Sequence, residues 1–169
     1  MIDQDRPISR LLNSPRERVF AAWTAPEHLA RWFGPKGAII RTIRMDLRPG
    51  GMHHFCMEYQ SRVIWGRWVF REVLPPARIV FINSFSDEAG RLVRHPNNPS
   101  LPSELLATIG FEEEGNRTRV TFRWVPFHAT EDEQRAFREE FDVVARSNEL
   151  LDELQAYLTS WPASGERGQ

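Results

Sequence analysis

The stretch RVFAAWTAPEHLARWFGPKG, Arg18 to Gly37, sets Phe20, Trp23, Trp32 and Phe33 among helix formers and then stops on Gly34-Pro35. Just before it, Ser14-Pro15-Arg16-Glu17 reads as a capping box with proline at the first helical position. Val19, Phe20 and Trp23 follow at helical spacing. A second box, Thr24-Ala25-Pro26-Glu27, restarts at once and leads into Leu29, Trp32 and Phe33. Two starts so close together predict two short helices with a kink between them. Large aromatics in so short and punctuated a segment either plug one end of a core or line a space that opens and closes.

The sequence on either side supplies what that plug would close. Ile8 to Leu12 reads as a short strand. From Ala38 to Pro126 the texture is β, with turn signals at Pro49-Gly50-Gly51, Pro75-Pro76, Asp87 to Gly90 and Glu113 to Asn116. Alternation gives the faces: His53, Phe55, Met57 and Tyr59 share one, as do Ile79, Phe81, Asn83 and Phe85, and again Val120, Phe122 and Trp124. About six strands fit here, seven with the first, joined by turns tight enough for an antiparallel meander. Asp87 to Pro102 is a long proline-containing loop, a class that is often mobile or functional. A third capping box, Thr130-Glu131-Asp132-Glu133, opens a last helix with the apolar stripe Phe137, Phe141, Val144, Leu151, Leu154 and Leu158. Read as one element it runs about 28 residues, roughly 42 Å. The expected fold is therefore α+β. A curved antiparallel sheet wraps on a long C-terminal helix, the one cover large enough for it, and the two short helices after the first strand close one end. Residues 1–162 form a single domain in this reading, and 163–169 a flexible, polar C-terminal tail.

Composition excludes several function classes. With 169 residues, 41% hydrophobic and 27% charged, the chain suits one globular domain. Lys and Arg total 22 against 23 Asp and Glu, so nothing in the charge balance expects nucleic acid or an anionic membrane. The single cysteine, Cys56, rules out an intrachain disulfide and a four-cysteine zinc site. The first residues lack the apolar core of a secretory signal, and no apolar run reaches membrane-spanning length, so the expected location is cytoplasmic without membrane insertion.

With these residues laid out, a family resemblance stands on several segments. Arg18-Val19-Phe20-Ala21-Ala22-Trp23-Thr24 with Pro26-Glu27-His28-Leu29, Trp32 and Gly34-Pro35 resembles the signature of bacterial proteins similar to the activator of heat-shock-protein-90 ATPase. These belong to the START or Bet v 1-like (SRPBCC) helix-grip superfamily. The likeness continues through Met45-Asp46-Leu47-Arg48-Pro49-Gly50-Gly51, from Gly66 to Glu72-Val73 with Pro75-Pro76, through Thr118-Arg119-Val120-Thr121, and into Leu151-Asp152-Glu153-Leu154. It implies a deep, mostly apolar cavity between sheet and helix, and no particular reaction. One departure stands out. Many relatives carry Gly-Trp shortly before the closing Leu-x-x-Leu, where this chain has Arg146 and Ser147, with Asn148 next.

Strand parity and the helix stripe nominate a cavity lined by Trp32, Phe33, His53, Phe55, Met57, Trp68, Phe70, Phe81, Asn83, Trp124, Phe141, Val144 and Asn148. In this fold the same aromatics also form the core. Asn148 and Ser147 flank the stripe either as water-bonded polar groups or as donors to a ligand, and Asn83 and Thr108 are read in the same way. His53 and His54 are neighbours on a strand and point to opposite faces, so they do not share a metal, and no His-x-x-x-His or Cys-x-x-Cys spacing occurs. His53, on the inner face, is the best candidate for a general base, although a hydrogen-bonded core histidine is the plainer reading. Glu58 and Glu72 lie on strands as possible carboxylate partners, and Cys56 alternates outward as a structural thiol. There is no Gly-x-Ser-x-Gly elbow and no phosphate loop. The leading expectation is binding of a small apolar or amphipathic molecule in a central cavity, with no cofactor and no metal. The alternatives are a cyclase- or hydrolase-like enzyme using His53, or a chaperone-interaction module. A homodimer is compatible with either.

Overall fold

The chain runs β1 (Ile8–Leu12), α1 (Arg16–Thr24), α2 (Pro26–Trp32), β2 (Ile39–Met45), β3 (Met52–Tyr59), β4 (Arg62–Leu74), β5 (Arg78–Phe85), β6 (Glu104–Glu114), β7 (Arg117–Pro126), α3 (Glu131–Glu140) and α4 (Val143–Ser160). This architecture comes from a computed structural model, which describes residues 6–161; the tail expected at 163–169 lies outside the described residues. The strands form one antiparallel sheet of seven, in the order β1-β7-β6-β5-β4-β3-β2. All but one of the neighbouring pairs are consecutive in sequence, so the sheet is a meander, and β1 closes onto the last strand with Ile8 opposite Phe122. Bulges between Thr42 and Arg44 and between Phe70 and Glu72 bend it further. The expected helix-grip fold is present, with α4 packed against β1, α1 and α2.

The inner face follows from alternation. Val73, Ile79, Ile109 and Phe122 share one row across β4 to β7; Phe70, Phe81, Ala107 and Trp124 share the next; His53, Trp68, Asn83 and Leu105 share a third across β3 to β6. Trp23, Trp68, Phe70, Phe81, Ile79, Ile109 and Phe122 are all sealed from solvent. Gly66 makes room in this layer: a Cβ there would lie 2.6 Å from Phe55 Cζ, so the Phe55 ring lies across β4 where a side chain is missing.

Helix starts depart from the expected boxes in two cases of three. Pro15, not Ser14, is the N-cap of α1, and Ala25, not Thr24, caps α2; neither has a side-chain cap. The Thr24 hydroxyl donates instead to the carbonyl of Phe20, at 2.8 Å. Pro15 and Pro26 fix an entry into the helix that leaves the preceding hydroxyl out of reach. The third box forms in full: Thr130 Oγ1 accepts from the Glu133 amide and the Glu133 carboxylate accepts from the Thr130 amide.

The last helix is also not one piece. Phe141 is extended, with φ −106° and ψ 114°, and the Asp142 carboxylate accepts from the Ala145 amide at 2.9 Å to start α4 afresh. Asp at that position followed by β-branched Val143 and Val144 is an N-terminus signal inside the longer periodic pattern. The restart rotates the stripe: Val143, Ser147, Leu151, Leu154 and Leu158 are buried, and Val144 is only half-buried. No helix among the described residues is long and apolar enough to cross a membrane.

Candidate functional site

The space between sheet and helices divides into a filled half and a hollow half. Aromatic rings fill the side toward α1, α2 and β3. Trp23 sits at its centre, edge-on to Trp32 at 4.8 Å and to Phe122 at 5.1 Å. Trp68 stacks on Phe81 at 4.2 Å, Phe33 stands edge-on to Trp68 at 5.2 Å, and His53 stacks on Phe55 at 4.9 Å. Trp32 Nε1 donates to the Ala22 carbonyl at 2.8 Å, which locks the second helix against the first.

His53 belongs to this filled half. Its side chain is wholly buried, Nε2 shares a 3.0 Å hydrogen bond with Thr42 Oγ1, and Nδ1 has no partner among the described residues. Burial, with a smaller contribution from His54, pushes its pKa down to about 3, so the ring is neutral at pH 7. The carboxylates considered as its partners are engaged elsewhere: Glu58 pairs with Arg41 at 2.6 Å and Glu72 with Arg78 at 3.0 Å. His54, on the outer face, stacks on Trp65 and bonds the Asp87 carbonyl at 3.2 Å. Cys56 is a buried free thiol of that same outer face.

The hollow half is a pocket of about 550 Å³ under α3 and the first turns of α4. Its floor is the end of the inner sheet face: Asn83, Ser84 and Phe85 of β5, Leu105 of β6 and Trp124 of β7. One wall is Phe137 of α3 and Phe141 just past its end, which stack at 5.0 Å. Another is the loop between β5 and β6, through His95, Leu101, Pro102 and Ser103. The rim carries Arg146, Glu149, Leu150, Asp152 and Glu153 of α4, Tyr59, and Gly34 to Lys36. Loop and helix wall are tied together. Arg94 bridges to Glu133 at 2.7 Å and donates to the Pro99 carbonyl at 3.0 Å, and Asn98 donates to Glu140.

Three of the residues expected to line a cavity, Asn83, Trp124 and Phe141, meet in this pocket. Trp32, His53, Phe55, Trp68, Phe70 and Phe81 lie in the filled half, and Phe33 and Met57 pack against it partly buried. Asn148 accepts from Arg10 at 3.1 Å, beside the 2.6 Å Arg10–Asp152 ion pair that ties α4 to β1. Ser147 is buried, its hydroxyl without a hydrogen-bond partner among the described residues. Thr108 falls on the outer face, one residue out of phase with buried Ala107 and Ile109. The lining residues not anticipated include His95, Leu101 to Ser103, Leu105, Phe137 and Arg146. The long loop was a visible feature of the sequence and Arg146 a visible departure, but nothing local marks which of these side chains face inward. Among the described residues no group of three or more His, Cys, Asp or Glu side chains is placed to hold a metal ion.

The sequence model described as "Activator of Hsp90 ATPase homolog 1-like protein" matches residues 13–159. The chain belongs to this family. Solved structures of similar fold include a protein from Arthrobacter aurescens, 24% identical, covering 96% of this chain and 91% of that one with a TM-score of 0.75. One from Staphylococcus epidermidis is 20% identical and covers 100% and 98%, with a TM-score of 0.73. An X-ray structure of a protein from Nitrosomonas europaea is 25% identical and covers 95% and 98%, with a TM-score of 0.69. No curated protein matches. Family membership accounts for the sheet wrapped on α4, and such folds generally bind hydrophobic ligands. In this member of the Hsp90-activator-like family a pocket of about 550 Å³ lies between that sheet and the helices α3 and α4.

Proposed function

We propose that this protein binds a small apolar or amphipathic molecule in the pocket between β5–β7 and the helices α3 and α4. The observation that carries the reading is the pocket itself. Its volume of about 550 Å³ lies in the range of small-molecule sites, and Trp124, Phe137, Phe141, Leu101, Leu105 and Leu150 give it apolar walls, with polar side chains on its floor and rim. A void of that size would otherwise forfeit packing that the rest of the core achieves.

Binding is favoured over catalysis by His53. That side chain is sealed away from the pocket and held neutral, and a base needs a proton to abstract within hydrogen-bond reach. The test is a fluorescence titration with the neutral dye N-phenyl-1-naphthylamine. Expected is saturable enhancement with one site per chain, displaced by decanol and weakened at least about tenfold by Phe141→Ala, since a buried aromatic contributes that much. Dye binding unchanged by Phe141→Ala, or absent altogether, would overturn the reading.

A further inference from the structure

We propose that the molecule held in this pocket is an apolar carboxylate, with its body against Trp124, Phe137 and Phe141 and its anionic head on Arg146. This rests on the pocket being the binding site and names the ligand class it selects.

The walls by themselves do not choose between an alcohol, an amine and an acid. The unpartnered polar groups do. Arg146 lines the pocket and makes no side-chain hydrogen bond or ion pair within the described residues. Its guanidinium lies 5.9 Å from the centre of the Phe141 ring, so the charge of this exposed side chain stands beside the apolar wall at the pocket rim. His95 lies near enough for that charge to act on it. The Nδ1 atom of His95 accepts two backbone N–H bonds, from Asn97 at 3.2 Å and Asn98 at 3.1 Å. Nδ1 is thereby fixed as the unprotonated nitrogen, and Nε2–H is left as a donor without a partner among the described residues, on a ring that lines the pocket. The Asn83 amide on the floor likewise makes no hydrogen bond within the described residues.

The pocket therefore offers a guanidinium fork, an imidazole N–H and an amide, all able to donate. A carboxylate is the head group that accepts from each, and the planar fork matches its two oxygens. The acids of the rim do not reverse this. Asp152 is already neutralised by Arg10 at 2.6 Å. Glu149 and Glu153 follow Arg146 by about one and two turns of α4, so these charges lie further along the helix from the His95 end.

The test compares three ligands with one alkyl body, decanoate, decanol and decylamine, by displacement of N-phenyl-1-naphthylamine at pH 7.5 in low salt. Expected for the unaltered protein is decanoate binding at least about tenfold tighter than decanol, the ratio one charge-assisted hydrogen bond supports, with decylamine weakest. Arg146→Gln should bring the decanoate-to-decanol ratio close to one, Arg146→Lys should restore part of it, and Arg44→Gln, an exposed change on β2, should leave it intact. Melting curves confirm that each variant is folded. If decanoate and decanol bind equally and Arg146→Gln leaves the ratio unmoved, the carboxylate assignment falls while the pocket stands. Preference for decylamine also overturns it and gives the head group to Glu149 and Glu153. Displacement by none of the three, with the dye itself unbound, removes the pocket reading and this one together.

Discussion

His53 costs this fold far less while it is neutral, with one buried ring nitrogen left without a partner among the described residues, than once it is charged. Its ring lies between Phe55 and Trp68 with no carboxylate beside it, and burial lowers its pKa from 6.5 to about 3. An unfolded chain binds the proton below about pH 6.5, and the folded chain does so only near pH 3. Between those values the unfolded state holds more protons, so stability is complete above the unfolded pKa and is lost as pH falls toward the folded one. The slope approaches about 1.4 kcal/mol per pH unit in the middle of that window. Asp87, Glu114 and Glu133, whose pKa values are lowered chiefly by hydrogen bonds from Arg91, Arg119 and the Thr130 amide, add acid sensitivity of the same sign only at lower pH, as they protonate. Urea unfolding of the unaltered protein and of His53→Gln should therefore diverge most in slope between pH 4.5 and 6.5. The variant should be less stable at pH 7.5 and flatter on acidification. Parallel stability curves for the two proteins would show that His53 is not the group responsible.

At the level of elements, the contrast between Ser14 and Thr130 makes a paired prediction. Both begin an S/T-x-x-E sequence, but only Thr130 bonds its helix. Thr130→Ala should cost about 1 kcal/mol, the usual worth of an N-cap. Because α3 also walls the pocket, hydrogen exchange should quicken in α3 before α4. Ser14→Ala removes a buried hydroxyl that has no partner among the described residues and should be neutral or slightly stabilising in the same denaturation assay. A cap-sized loss from Ser14→Ala would mean that its hydroxyl does reach the α1 amides. The same comparison explains how far the sequence carries at this scale. Strand parity placed Phe81, Phe122, Trp68 and His53 on the correct face because a period of two is rigid and one slip would expose the whole set. The helix ends were harder, since Ser-Pro and Ala-Pro fix the entry angle through proline and leave the side chain idle. The break at Phe141-Asp142 was masked by a stripe that stays apolar across it: Phe137, Phe141 and Leu151 read as one periodic face although Val143, not Val144, turns inward.

Across the whole molecule, one sheet carries two kinds of aromatic surface. Toward α1 and α2 the rings touch one another, with Trp23 sealed among Trp32, Trp68 and Phe122. Toward α3 they face a void. This division was only half legible in the sequence. Alternation and the helix stripe show which side chains point inward, and so include Asn83, Trp124 and Phe141. Whether an inward ring meets another ring or empty space depends on the approach of Phe33 and of the Phe55 ring over Gly66, and on the loop that brings Leu101 and His95 to the other side. Those are long-range packing facts with no local pattern. The two halves should respond differently to the same kind of change. Trp23→Ala opens a cavity in close-packed surroundings and should cost about 3–5 kcal/mol. Leu105→Trp adds volume where space already exists, so it should leave stability within about 1 kcal/mol, since overpacking penalises only a full site. It should instead abolish binding of N-phenyl-1-naphthylamine by occupying the floor between Asn83 and Trp124. Thermal and urea unfolding measure the first quantity and dye titration the second. A Leu105→Trp protein that melts far below the unaltered one would mean that the space under α3 closes in solution. One that stays stable and still binds dye would put the ligand elsewhere.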